Sequence, residues 1–209
     1  FSRDIFTLVS EPLREVLPGN AMIATAVASP LLTPFKLTFF AALFLVMPVV
    51  LFQVWNFIAP GLYKNEKRFA IPLLATSIVL FYLGIAFAYF VVFPLIFGFF
   101  TSIAPEGVEV QTDITQFLDF ITTIVFAFGI AFEVPVATVL IVWAGLTNTE
   151  KLAKARPYVF LMAFIAGMFL TPPDVISQSL LAVPVYLLYE LGIIMSKIFV
   201  SKKSESDSS

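Results

Sequence analysis

Residues 117–143 read FLDFITTIVFAFGIAFEVPVATVLIVW, and past Asp119 this stretch holds one ionisable residue, Glu133. As a helix it would rise roughly 40 Å at about 1.5 Å per residue, enough to cross a bilayer. Glu133 would lie about 15 Å from the Trp143 end, near the middle of the hydrocarbon. An ionised carboxylate there costs several kcal/mol unless it meets water, a partner or a proton, which makes an intramembrane glutamate a functional candidate. Pro135 follows two residues on. Its missing N–H frees the carbonyl of Ala131 and predicts a kink beside the carboxyl. A second reading stays open, in which Glu133 is protonated and hydrogen-bonded to a neighbouring helix as packing glue.

The rest of the chain has the same character. Of 209 residues 60% are hydrophobic and 12% charged, where a soluble domain runs nearer ~45–50% apolar and ~25% charged. The apolar runs do not alternate as barrel strands do. The expected fold class is therefore all-α, a polytopic helical membrane protein. Cysteine and histidine are both absent. That excludes disulfides, Cys nucleophiles, His general bases, haem ligation by His and Cys/His zinc sites. With no phosphate-binding loop or GxSxG elbow either, an enzyme is not expected, and neither is a metal or cofactor. A net charge of −2 leaves no nucleic-acid footprint.

In chain order, residues 1–18 form an amphipathic pattern, with Phe1, Ile5, Leu8, Val9 and Leu13 on one helical face. They are expected to lie at the membrane surface, followed by an irregular connection over 19–34. Residues 1–34 thus make an external cap and connection, and 35–199 a transmembrane domain. Spans are expected at about 35–57, 69–92, 117–143, 157–170 and 178–196. Pro94–Thr115 and 145–156 read as loops, and 200–209 as a disordered cytoplasmic tail. The last two apolar runs are short: Pro157–Leu170 is only about 21 Å as a helix, which suggests local thinning of the bilayer. No GxxxG pair occurs.

Charge sets the orientation. Of 12 Lys and Arg, nine fall in three segments, with Lys64, Lys67 and Arg68, then Lys151, Lys154 and Arg156, then Lys197, Lys202 and Lys203. Five spans put all three segments on one side, which the positive-inside rule makes the cytoplasm. The N-terminus then falls outside, and a further span preceding Phe1 is expected.

Two polar features join Glu133. Glu66, in YKNEKR at the cytoplasmic end of a span, is either a solvated loop charge or a receptor for a guanidinium, which a carboxylate takes through two parallel bonds. The segment TPPDVISQ (171–178) is either a tight turn with Asp174 capping the last helix or a polar contact site for a partner helix.

Several stretches resemble TatC, the multi-spanning component of the twin-arginine protein translocase. They are FKLTFF, PVVLFQVWNFIAPGLYKNEKR, LFYLGIAFAYFVVFP, AFGIAFEVPVA and RPYVFLMAFIAGMFLTPPDVISQSLLAVPVYLLYE. The likeness to proteobacterial members extends through MIATAVASP and FFTSIAPEGVEVQTDI and covers nearly the whole chain. FIAPGLYKNEKR, FGIAFEVP and TPPDVISQ in this order are specific to the family. The resemblance implies a six-span fold with both ends cytoplasmic, of which the five spans match the second to the sixth.

It also implies a function: a receptor and assembly core that binds twin-arginine signal peptides and exports folded proteins across the bacterial inner membrane on the proton-motive force. Glu66 and Phe57 match the loop that reads the paired arginines. Glu133 matches the intramembrane glutamate of a groove. Met168, Thr171 and Gln178 match the docking site of the single-span partners TatA and TatB, and Pro12 and Asp174 match external functional positions. A homo-oligomer with TatB is implied. The competing expectation from residues alone is a proton-coupled secondary transporter of a small solute using Glu133, which would carry a midplane cavity and internal symmetry.

Overall fold

The computed structural model describes residues 29–58, 67–103, 113–171 and 174–206, with side chains over 32–56, 71–100, 102, 113–171 and 174–198. The expectations for Pro12 and Glu66, and for the side chain of Phe57, fall outside these residues.

The described residues are helical almost throughout. They form α1 (Ser29–Ile58), α2 (Lys67–Phe87), a π turn (Ala88–Val92), α3 (Phe93–Ile103), α4 (Ile114–Ala131), α5 (Val134–Trp143), α6 (Thr149–Leu170) and α7 (Val175–Ser206). Among the described residues, five segments are long and apolar enough to cross a membrane: Leu32–Asn56, Ile71–Phe100, Ile114–Trp143, Thr149–Leu170 and Val175–Ile198. The protein is a polytopic, all-α membrane protein.

The span number and order match the expectation, and the ends do not. Helix α1 starts at Ser29 inside the segment read as irregular, because Pro30 sits in a first turn whose N–H groups have no helical partner anyway. The second span does not stop at Val92. The Phe93 N–H reaches the carbonyl of Ala88, five residues back. This widened turn gives the Pro94 ring room, so the helix runs on to Ile103 through a segment read as loop.

The largest correction concerns the last two spans, which are not short. α6 begins at Thr149, with the Asn148 side chain accepting from Lys151 N at 2.8 Å and Glu150 in the first turn. Ahead of it, Gly145 at φ +72 closes α5, with Gly145 N bonded to Val142 O and Leu146 N to Ile141 O. A five-residue turn thus replaces the twelve-residue loop expected over 145–156, and α6 is 22 residues long. α7 starts at Val175, where Asp174 Oδ2 accepts from Ser177 N at 2.7 Å, and its length of 32 residues takes in most of the segment read as a disordered tail. Bilayer thinning by short spans loses its premise.

The chain divides into two compact units, Phe1–Met47 with Ile85–Ala127, and Pro48–Gly84 with Phe128–Ser209. In the first, Phe93, Ile96, Leu118 and Ile124 are fully buried, and the Phe97 ring packs on Phe117 and Phe120 at 5.6 and 6.0 Å. Asp113 caps α4 by accepting from Thr115 N and Gln116 N at 2.8 and 3.1 Å. Lys36 and Asp119 form an ion pair that ties α1 to α4.

In the second unit α7 packs on both α5 and α6. Phe81, Phe128, Pro135, Ala182 and Ile193 lie in its core. α7 lies tight against α5 at Gly192, where a Cβ would lie 2.0 Å from Thr138 Oγ1 and 3.0 Å from Pro135 Cα. Single glycines thus do here what a GxxxG pair does elsewhere.

Candidate functional site

The expected kink at Pro135 is a full break. α4 ends at Ala131 and α5 begins at Val134, with Phe132 and Glu133 forming a turn between them. Pro135 sits in the first turn of α5, where it has no N–H to lose. Glu133 occupies the N-cap position of α5, yet its side chain makes no capping bond. An acidic residue at a helix N-terminus ordinarily spends an oxygen on the free N–H groups. Here both carboxylate oxygens are left for something else.

One of them is taken from across the unit. The Ser77 hydroxyl of α2 donates to Glu133 Oε2. Ser77, Phe81 and Gly84 are all buried and follow helical spacing, so they form one stripe along α2. The stripe meets the third span in reverse order. A Cβ on Gly84 would lie 2.5 Å from the Phe128 carbonyl oxygen, and one on Gly129 would lie 2.7 Å from the Phe81 ring. This close approach brings the short serine side chain within reach of Glu133. The other oxygen, Oε1, is buried and has no hydrogen-bond partner among the described residues.

The second polar feature is the turn between α6 and α7. Thr171 is buried, and its hydroxyl donates to Gly167 O in its own helix at 2.9 Å. Gln178 is half-buried, with its backbone against Gly167, where a Cβ would stand 3.6 Å from the Gln178 carbonyl oxygen. Met168 is 54% exposed. Asp174 does cap α7, while Asp174 Oδ1 and Ser177 Oγ are buried without hydrogen-bond partners among the described residues. Met168, Thr171, Asp174 and Gln178 are therefore gathered at one end of the α6–α7 pair, and Glu133 stands apart at the α4–α5 break.

Sequence reasoning missed two groups. Ser77 is one of several hydroxyl residues on α2 and carried no signal alone. The other is a cluster at the opposite end of α6 and α7. Arg156 Nη2 donates to Glu190 Oε2 at 2.7 Å, and Arg156 Nε stands 2.6 Å from Glu190 Oε1. The Tyr186 hydroxyl donates to Glu190 Oε1 at 2.9 Å, and that of Tyr189 to the Leu152 carbonyl at 2.7 Å. A glutamate near the end of an apolar run, with an arginine at the start of the preceding one, was the available clue.

No group of three or more Asp, Glu, His or Cys side chains able to hold a metal occurs among the described residues. The family model for the Sec-independent protein translocase protein (TatC) matches residues 1–184. The chain belongs to the TatC family. It is 63% identical over 194 residues to the TatC protein of Azotobacter chroococcum mcd 1, covering 92% of this chain and 76% of that one. It is 58% identical over 203 residues to TatC of Escherichia coli K12, covering 97% and 79%. A crystal structure of the twin-arginine translocase receptor TatC superposes with a TM-score of 0.85 at 36% identity, over 95% of this chain and 87% of that one. The family and these relatives carry the name of Sec-independent protein translocase proteins.

Proposed function

We propose that this TatC-family chain is the receptor and assembly core of a twin-arginine translocase in the bacterial inner membrane, with its basic connections and C-terminus cytoplasmic. Twin-arginine signal peptides of folded precursors bind at Glu66 and Phe57, where a carboxylate takes a guanidinium through two parallel bonds. TatA and TatB dock along Met168, Thr171 and Gln178, beside the external positions Pro12 and Asp174, and TatB enters a homo-oligomer with this chain. Glu133 accepts a polar group from a partner helix or from a deeply inserted signal peptide. The proton-motive force drives export.

The observation that carries this reading is the Glu133 carboxylate, which sits at a helix break without capping it and leaves Oε1 buried with no hydrogen-bond partner among the described residues. Lipid offers such an oxygen no donor, so a protein donor is the natural complement. The exposed Met168, beside the buried and unpartnered Asp174 Oδ1 and Ser177 Oγ, supports a docking edge at the α6–α7 turn. Glu66→Gln tests the receptor role. It should weaken crosslinking of a twin-arginine precursor to the translocase in inner-membrane vesicles by about tenfold or more, the scale of one charge-assisted bond. Unchanged crosslinking removes Glu66 from the site.

A further inference from the structure

We infer that Ser77 is a positioning residue for Glu133: its hydroxyl holds Oε2 and leaves Oε1, buried and unpartnered among the described residues, as the oxygen that a hydrogen-bond donor inserted at the helix break would satisfy. The inference rests on the proposal that Glu133 receives a polar group from a partner helix or signal peptide.

Three observations on the molecule carry it. Glu133 makes no capping bond, so its own helix does not fix its side chain. Among the described residues Ser77 is the one side chain that donates to Glu133, and it is fully buried on the face of α2 that meets the third span. The backbones on either side of this contact cannot drift apart or together without disturbing packing, since Gly84 meets the Phe128 carbonyl and Phe81 meets Gly129. A glutamate side chain free to rotate would present either oxygen in several directions and would lose that freedom on binding. With Oε2 held by an anchored serine, much of that ordering is done before the partner arrives. The neighbouring Thr76 cannot substitute, because its hydroxyl is bonded to Pro72 O in its own helix at 2.9 Å. The ligand class follows from the acceptor left unpartnered: a helix carrying one N–H or O–H side chain at mid-membrane depth.

A double-mutant cycle in the assembled translocase tests this. A photo-crosslinking residue at Ile130, which is 50% exposed one turn before Glu133, reports contact with the partner helix or precursor in membrane vesicles. Glu133→Gln should lower the adduct yield by about tenfold, and Ser77→Ala by several-fold. The double variant should be no worse than Glu133→Gln, and Ser77→Thr, which keeps the hydroxyl, should restore most of the yield. If Ser77→Ala has no effect, or adds its full loss to that of Glu133→Gln, Ser77 does not act through Glu133 and the inference falls while the role of Glu133 stands. If Glu133→Gln itself leaves the yield unchanged, the proposed role of Glu133 falls, and the inference with it.

Discussion

Glu133 and Ser77 show what a single residue discloses and what it hides. A lone carboxylate in a long apolar run stands out because nothing else in hydrocarbon pays so large a desolvation penalty. A serine in the same setting does not, since a hydroxyl can bond the carbonyl four residues back in its own helix, as Thr38, Thr76, Ser179 and Ser196 do. Only the facing residue tells Ser77 from its neighbours. Gly192 is similarly silent in sequence, yet it lets α7 lie tight against α5 where a Cβ would not fit. Gly192→Ala should lower thermal stability in detergent by about 1–3 kcal/mol, because its Cβ would overlap Thr138 Oγ1. Thr138→Ala removes that oxygen and should recover part of the loss in the double variant. Differential scanning fluorimetry of the single and double variants checks the sign, and strictly additive losses would separate the two positions.

At the scale of elements, periodicity and hydropathy located every span but misjudged their ends. Helices run beyond the hydrocarbon into the interface, where polar residues are tolerated, so the apolar run underestimates the helix. Local signals did mark the true ends. Gly145 and Asn148 in GLTNTEK are a helix stop and a helix start three residues apart. The charged first turns of α6 are then held by the Arg156–Glu190 pair, with Tyr186 as a third member. Arg156→Ala and Glu190→Ala should each lower stability by about 1 kcal/mol, roughly 2–4 °C for a chain this long. The double variant should cost little more than either single one, because each removes the same contact. Arg156→Lys should recover only part, since an ammonium cannot meet both carboxylate oxygens at once in the guanidinium's geometry. Thermal melts of the purified protein decide it, and a double variant showing the full sum of both losses would count against the pair.

For the whole molecule, three candidate crossings were legible as apolar runs of more than about 20 residues, a signal few other structures imitate, and the last two as shorter runs that the structure lengthens at their ends. The expected orientation rests on the placement of Lys and Arg alone, and it yields the prediction with the widest reach. The chain has no cysteine, so single thiols can be introduced without removing any. Leu146, 78% exposed, lies in the turn before α6, and Val175, 76% exposed, opens α7. The one span between them, 22 residues or about 33 Å long, should put them on opposite faces. Two spans, Ile71–Phe100 and Ile114–Trp143, separate Tyr63 from Leu146 and should return these two positions to the same face. A membrane-impermeant maleimide added to intact spheroplasts should therefore label Val175→Cys at once, and Leu146→Cys and Tyr63→Cys only after the membrane is opened. Labelling of Leu146→Cys and Tyr63→Cys from opposite faces would mean that one of the two intervening segments does not cross. Glu66, proposed to take the paired arginines, and the basic connection before α6 would then no longer share a compartment, and the proposed cytoplasmic placement of the basic connections would fail.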